Sequence, residues 1–140
     1  VKTMDNHKHL GLELDSGLTF TKHIIEKVTL AKINGIIKNL AKYLPFKVLN
    51  QMYKVFVRSH LDYCDVIFHV PHIVTQLPLC ISLNPLMESL ERVQYLAALS
   101  VTGAWHGSNR SKLYEEIAWE SLSDRRMIDA FLKCLRLSTV

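Results

Sequence analysis

Four side chains near the middle of the chain have the atoms for metal chemistry. Asp62-Tyr63-Cys64-Asp65 brings two carboxylates within four positions. Paired carboxylates can hold the divalent ions that stabilise attacking and leaving oxygens in phosphoryl transfer. That chemistry usually takes adjacent aspartates on a strand hairpin, whereas here Val66 follows Asp65 and the setting reads as a helix end. Helix-terminal packing and hydrogen bonding is the expected role. Cys64, His69, His72 and Cys80 could be written as a zinc set, but gaps of four, two and seven residues match no compact knuckle. Buried apolar packing is the ordinary use of such thiols. Seven scattered histidines show no nucleophile–base–acid spacing, and Gly103 and Gly107 bracket Ala-Trp-His with no phosphate-loop lysine. The residues predict no catalytic group, no bound metal, no cofactor and no small-molecule substrate.

The cations carry more information. Residues 1–60 hold ten Lys/Arg against four acids, a balance of +6, while residues 61–140 hold seven against nine, a balance of −2. Between positions 16 and 60 the one acid is Glu26. Lys27, Asn34, Lys38 and Lys42 fall within an arc of roughly 80° on an uninterrupted helix, opposite its apolar stripe. Lys47, Gln51, Lys54 and Arg58 follow at i, i+4, i+7 and i+11, again one face. Two such stripes fit a polyanion, and helices that lay lysines along a duplex gain from counterion release. Solvated surface lysine is the ordinary alternative.

Positioning those stripes requires helices, and the sequence predicts them. With 5 Gly and 4 Pro in 140 residues, little material exists for an all-β design. The expected fold is mainly α, with one short N-terminal strand followed by a bundle of about five helices. Residues 9–15 alternate at period two and stop at Ser16-Gly17, which reads as a strand whose sheet lies upstream. A long helix is expected over residues 20–44, capped by Thr19 and stopped by Pro45, with Ile25, Val28, Ile33, Ile36, Ile37, Leu40 and Leu44 inward. A second runs from residue 46 to at least 60, with Val48, Leu49, Met52, Tyr53 and Phe56 inward. Residues 69–84 read as a loop. Asn84-Pro85 then opens a third helix that buries Leu86, Leu90, Val93 and Ala97 and stops at Gly103. A short helix over 110–119 and a last one opened by the capping spacing Ser121 to Asp124 complete the chain. Three well-separated cysteines fit reduced thiols of an intracellular protein, nuclear or cytoplasmic. The apolar stretch 66–83 is broken by His69, Pro71, His72, Gln76 and Pro78, so no membrane span is expected.

Taken in order, these segments resemble one family. Lys8-His9-Leu10-Gly11-Leu12-Glu13-Leu14-Asp15, with Leu18-Thr19-Phe20 and His23-Ile24, is similar to the passage that follows the palm in jockey/CR1-like non-LTR retrotransposon reverse transcriptases. Leu40-Ala41-Lys42-Tyr43-Leu44-Pro45 and the run from Tyr53 to Asp65 resemble the next passage of that family. Leu90-Glu91-Arg92-Val93-Gln94-Tyr95 with Val101-Thr102-Gly103-Ala104, then Glu120-Ser121-Leu122-Ser123-Asp124-Arg125-Arg126, resemble those beyond it. Ser59 stands where proline is common, and Ile117-Ala118 replaces the usual Leu-Gly. The resemblance implies residues 1–17 as the remnant of a terminal palm strand and turn, 18–104 as a helical thumb-like bundle, and 105–140 as a truncated helical extension. It also implies that Lys27, Lys38, Lys42, Lys47, Lys54 and Arg58 contact the backbone of an RNA–DNA hybrid or RNA. Polymerisation and its Mg²⁺ would belong to an upstream palm domain, the thumb's partner. The competing expectation is a helical protein-interaction module that binds no nucleic acid.

Overall fold

A computed structural model describes residues 6–17, 20–30, 33–63 and 78–138. The chain is mainly helical, as expected, but its start is a hairpin and not a single strand. Asn6–His9 (β1) and Leu12–Asp15 (β2) pair antiparallel, with Asn6 opposite Asp15 and His9 opposite Leu12. Leu10 and Gly11 form the turn, at φ +48° and +80°. Two successive left-handed residues match the twist of the flanking strands. The strand expected to need a sheet upstream therefore finds its partner three residues away. His7-Lys8-His9 hid it, having no apolar alternation.

Helix α1 spans Thr21–Leu30 and α2 spans Ile33–Leu40. The single helix expected over 20–44 is corrected at both ends. Phe20 sits at φ +54°, outside the helical region, and after Leu40 the chain tightens into turns, with Tyr43 and Leu44 both donating to the Leu40 carbonyl. The expected cap at Thr19 lies outside the described residues. Two surface ion pairs, Lys22–Glu13 at 2.9 Å and Lys8–Glu26 at 3.6 Å, tie the hairpin to α1. Lys22 in turn holds the Glu13 carboxyl below its ordinary pKa.

After Pro45 the chain is helical to Asp62 in three successive geometries: α3 (Phe46–Met52), a π-helical turn (Tyr53–Arg58) and α4 (Ser59–Asp62). Its buried residues are Leu49, Tyr53, Val57 and Leu61. Val48 and Phe56, expected inside, are exposed. Helix α5 covers Pro78–Thr102, with Pro85 in its interior. The expected loop is thus helix from residue 78 onward, and Pro78, which has no N–H to lose, stands first. Gly103 at φ +70° ends α5, its N–H bonding the Leu99 carbonyl at 2.9 Å. Asn109 caps α6 (Arg110–Glu116) through Ser111 and Lys112 N–H groups. Ser121 Oγ caps α7 (Leu122–Ser138) by accepting the Asp124 N–H at 3.1 Å and donates to Asp124 Oδ2 at 2.7 Å, while Glu91 accepts the Leu122 N–H at 2.9 Å.

The main core joins Ile24 and Ile37 to Leu49, Tyr53 and Val57, and to Leu90, Val93 and Ala97 of α5. Leu122 and Trp119 enter the same cluster, so residues set apart as a C-terminal extension share the core of the bundle. A hydrogen-bonded polar pair sits inside it. Gln94 is fully buried, accepts from the Tyr53 hydroxyl at 2.9 Å and donates to the Glu120 carbonyl at 2.7 Å. Trp119 stacks on Tyr53 with ring centroids 3.9 Å apart and donates to Asn50 at 3.0 Å. This network links α3 and the π turn to α5 and to the segment that precedes α7. No described helix is long and apolar enough to cross a membrane.

Candidate nucleic-acid interface

Six cations were expected on one surface, and the fold treats them differently. Lys27 is 4% exposed. Its ammonium donates to the Leu61 carbonyl at 3.4 Å and to the Tyr63 carbonyl, and lies 5.8 Å from the centre of the Tyr63 ring. A cation over the last carbonyls of a helix meets the negative end of its dipole. Lys27 is therefore a cap on α4, and its place on the expected contact surface is corrected. Arg58 is half exposed and shared: its Nε donates to Asp62 Oδ2 at 3.2 Å. The other carboxylate oxygen of Asp62 binds the buried Arg125. Asp62 thus performs the packing and bonding role expected of it. Cys64, Asp65, His69 and His72, like the Cys80 side chain, lie outside what the structure describes, and no cluster of metal-ligating groups occurs among the described residues.

Lys38, Lys42, Lys47 and Lys54 are all exposed, and no ion pair engages them among the described residues. Lys38 lies on α2 and Lys42 in the turns that follow it. Lys47, Gln51 and Lys54 share the solvent side of α3 and the π turn, opposite Leu49 and Tyr53. Helix α2 packs on both α3 and the π turn, so the two rows stand on neighbouring elements. From position 27 to 61 the sequence contains no Asp or Glu. The positive field there has no acid of its own segment to offset it.

No protein family, curated protein or solved structure matches this chain.

Two depressions adjoin this region. One, about 440 Å³, is lined by Lys38, Asn34 and Gly35 on one side and by Leu99, Ser100 and His106 on the other. The second, about 230 Å³, lies between the hairpin and the end of α4 and is lined by Lys8, His23, Glu26, Lys27, His60 and Tyr63. Burial, then the charge of Lys27, holds the His23 imidazole below its usual pKa. The sequence reading missed the inward role of Arg125 and Arg126. Their spacing of three and four from Leu122 was a usable signal, since it puts all three on one helix face.

Proposed function

We propose that this chain is a thumb-like helical piece of a non-LTR retrotransposon reverse transcriptase that holds a template–primer duplex by its phosphates through Lys38, Lys42, Lys47 and Lys54. In this reading catalysis and its Mg²⁺ belong to a separate palm domain, and the piece itself performs no reaction. The resemblance supplies the parentage. The observation that carries the binding role is the acid-free segment 27–61, which exposes four lysines along α2, the turns after it, α3 and the π turn, with no ion pair to them among the described residues. Arg58 adds to it only by giving up Asp62.

Titration of a fluorescent RNA–DNA hybrid tests the reading. Four phosphate contacts predict a salt slope near −3.6, so affinity falls about 150-fold between roughly 50 and 200 mM salt. Reversing the four lysines to glutamate removes binding. Absence of binding at the lower salt, or binding that ignores the reversal, refutes it. A second reading, a protein-interaction module, draws on a different observation: the open apolar face of α7.

A further inference from the structure

The larger depression has a chemistry of its own. It lies between α2 and the last two turns of α5 and measures about 440 Å³. Leu96 and Leu99 of α5 give it an apolar wall. On the α2 side Gly35 leaves it wide, with nothing inside 4 Å of an added Cβ. Lys38, exposed and without an ion pair among the described residues, makes that side positive. None of the described residues lining the depression is acidic. The α5 side differs. Ser100 and Gly103 mark the end of that helix, where carbonyls lack helical partners and the dipole is negative. A fitting ligand therefore carries an anion for Lys38, a compact apolar body for the leucines, and N–H donors for the end of α5.

We propose that the depression holds one unpaired nucleotide, its phosphate on Lys38 and its base against Leu96 and Leu99. A purely apolar ligand would leave Lys38 unused, and a bare phosphate would leave the leucines in water. A nucleotide meets both, and the ring N–H and amino groups of its base are the donors that the end of α5 lacks. Placing the phosphate on Lys38 rests on the duplex reading above, in which that lysine begins the exposed row that continues through Lys42. A strand following the row brings its unpaired end to the depression. A free nucleotide offers the same groups.

Two measurements separate these sources. In the first, adenosine monophosphate is titrated into isotope-labelled protein and the backbone amides are followed by NMR. Gly35, Leu99, Gly103 and His106 should shift together and saturate at millimolar ligand. In the second, an RNA–DNA hybrid with an unpaired overhang is compared with a blunt one, and the overhang should tighten binding about tenfold. Gly35→Leu narrows the depression with a good helix former that meets open space. It should abolish the amide shifts and the overhang gain while leaving the helical circular dichroism and blunt-hybrid affinity unchanged. Lys38→Gln should weaken both responses. Saturating shifts without an overhang gain assign the site to a free nucleotide, and the converse assigns it to a strand end. Neither response, or a response that survives Gly35→Leu, overturns the proposal. A chain that binds no hybrid at all refutes the duplex reading, and the first measurement then still decides the occupant of the depression.

Discussion

Removing the Asp62 carboxylate should cost more than any exposed charge in the molecule. Asp62 receives Arg125 on Oδ1 and Arg58 on Oδ2, and the two partners differ in exposure: the Arg125 side chain is 7% exposed and Arg58 37%. Asp62→Ala leaves Arg125 buried with its charge unmatched. Its Nε already lacks a partner among the described residues. Breaking a buried pair by deleting one member costs about 3–5 kcal/mol. The Asp62 side chain is 29% exposed, which admits water and brings the expected loss to about 2–3 kcal/mol. Unfolding entropy of about 2.1 cal/mol/K per residue gives some 0.29 kcal/mol/K for 140 residues, so Tm should fall by about 7–10 °C. Arg58→Ala removes an i,i+4 surface pair worth about 0.3–0.5 kcal/mol and should move Tm by 1–2 °C at most. The double variant Asp62→Leu with Arg125→Met replaces the pair by apolar groups and should recover most of the loss. Thermal melts followed by circular dichroism read all three. Equal, small shifts for Asp62→Ala and Arg58→Ala would show that Arg125 is solvated after all, and the account of α7 as anchored by inward charge would fail.

Three further outcomes follow from the packing. Gln94→Leu orphans the buried Tyr53 hydroxyl and the Glu120 carbonyl, so urea unfolding should show a loss of about 2 kcal/mol, partly restored by adding Tyr53→Phe. Gly35 lies within α2 with nothing inside 4 Å of an added Cβ, so Gly35→Ala should raise stability by about 0.5–1 kcal/mol in the same assay. His23 has its pKa lowered in the fold, so the unfolded chain takes up its proton first. Stability is then full above the unfolded value of about 6.5 and declines as pH falls below it toward the folded value. Tm should drop over that window, and His23→Leu should flatten the drop; an unchanged slope would assign it to other groups.

How much of this was legible differs by element. The helical class, the stop at Gly103 and the Ser121–Asp124 cap were readable because composition, a left-handed glycine and a capping pair act locally. The buried face of the helix beginning at Phe46 was not. Leu49, Tyr53, Val57 and Leu61 repeat every four residues, a spacing that would rotate about 40° per step on an ideal α-helix and about 120° over the run. The π turn at Tyr53–Arg58 has a wider turn and takes up part of that drift, keeping the four on one side. From sequence, Val55, Phe56 and Val57 are equally apolar, and nothing local says which faces in. Helix α5 was misread for a related reason. Pro71 and Pro78 read as loop and Asn84-Pro85 as a helix start, yet Pro78 itself occupies the first helical position and Pro85 lies inside the helix, where it costs a single bond.

The cations show the same limit more sharply. Spacing can put a lysine on a face, but the face is defined only while the helix keeps one phase. Lys27 was phased with Lys38 and Lys42 along one rod from 20 to 44. In the fold Lys27, on α1, turns toward the far end of α4. There its charge serves carbonyls that a helix terminus leaves unbonded. Those carbonyls lie 34 and 36 residues away in sequence. No local pattern encodes that demand. Arg125 and Arg126 obey the same rule, spent inward on Asp62 and the Met87 sulfur while apolar neighbours face water. A positive side chain is therefore evidence of a ligand only when the fold has not already claimed it. By that criterion Lys27 and Arg125 belong to the fold and Arg58 is shared. Lys38, Lys42, Lys47 and Lys54 are exposed and carry no ion pair among the described residues, so the criterion leaves them to the proposed duplex contact.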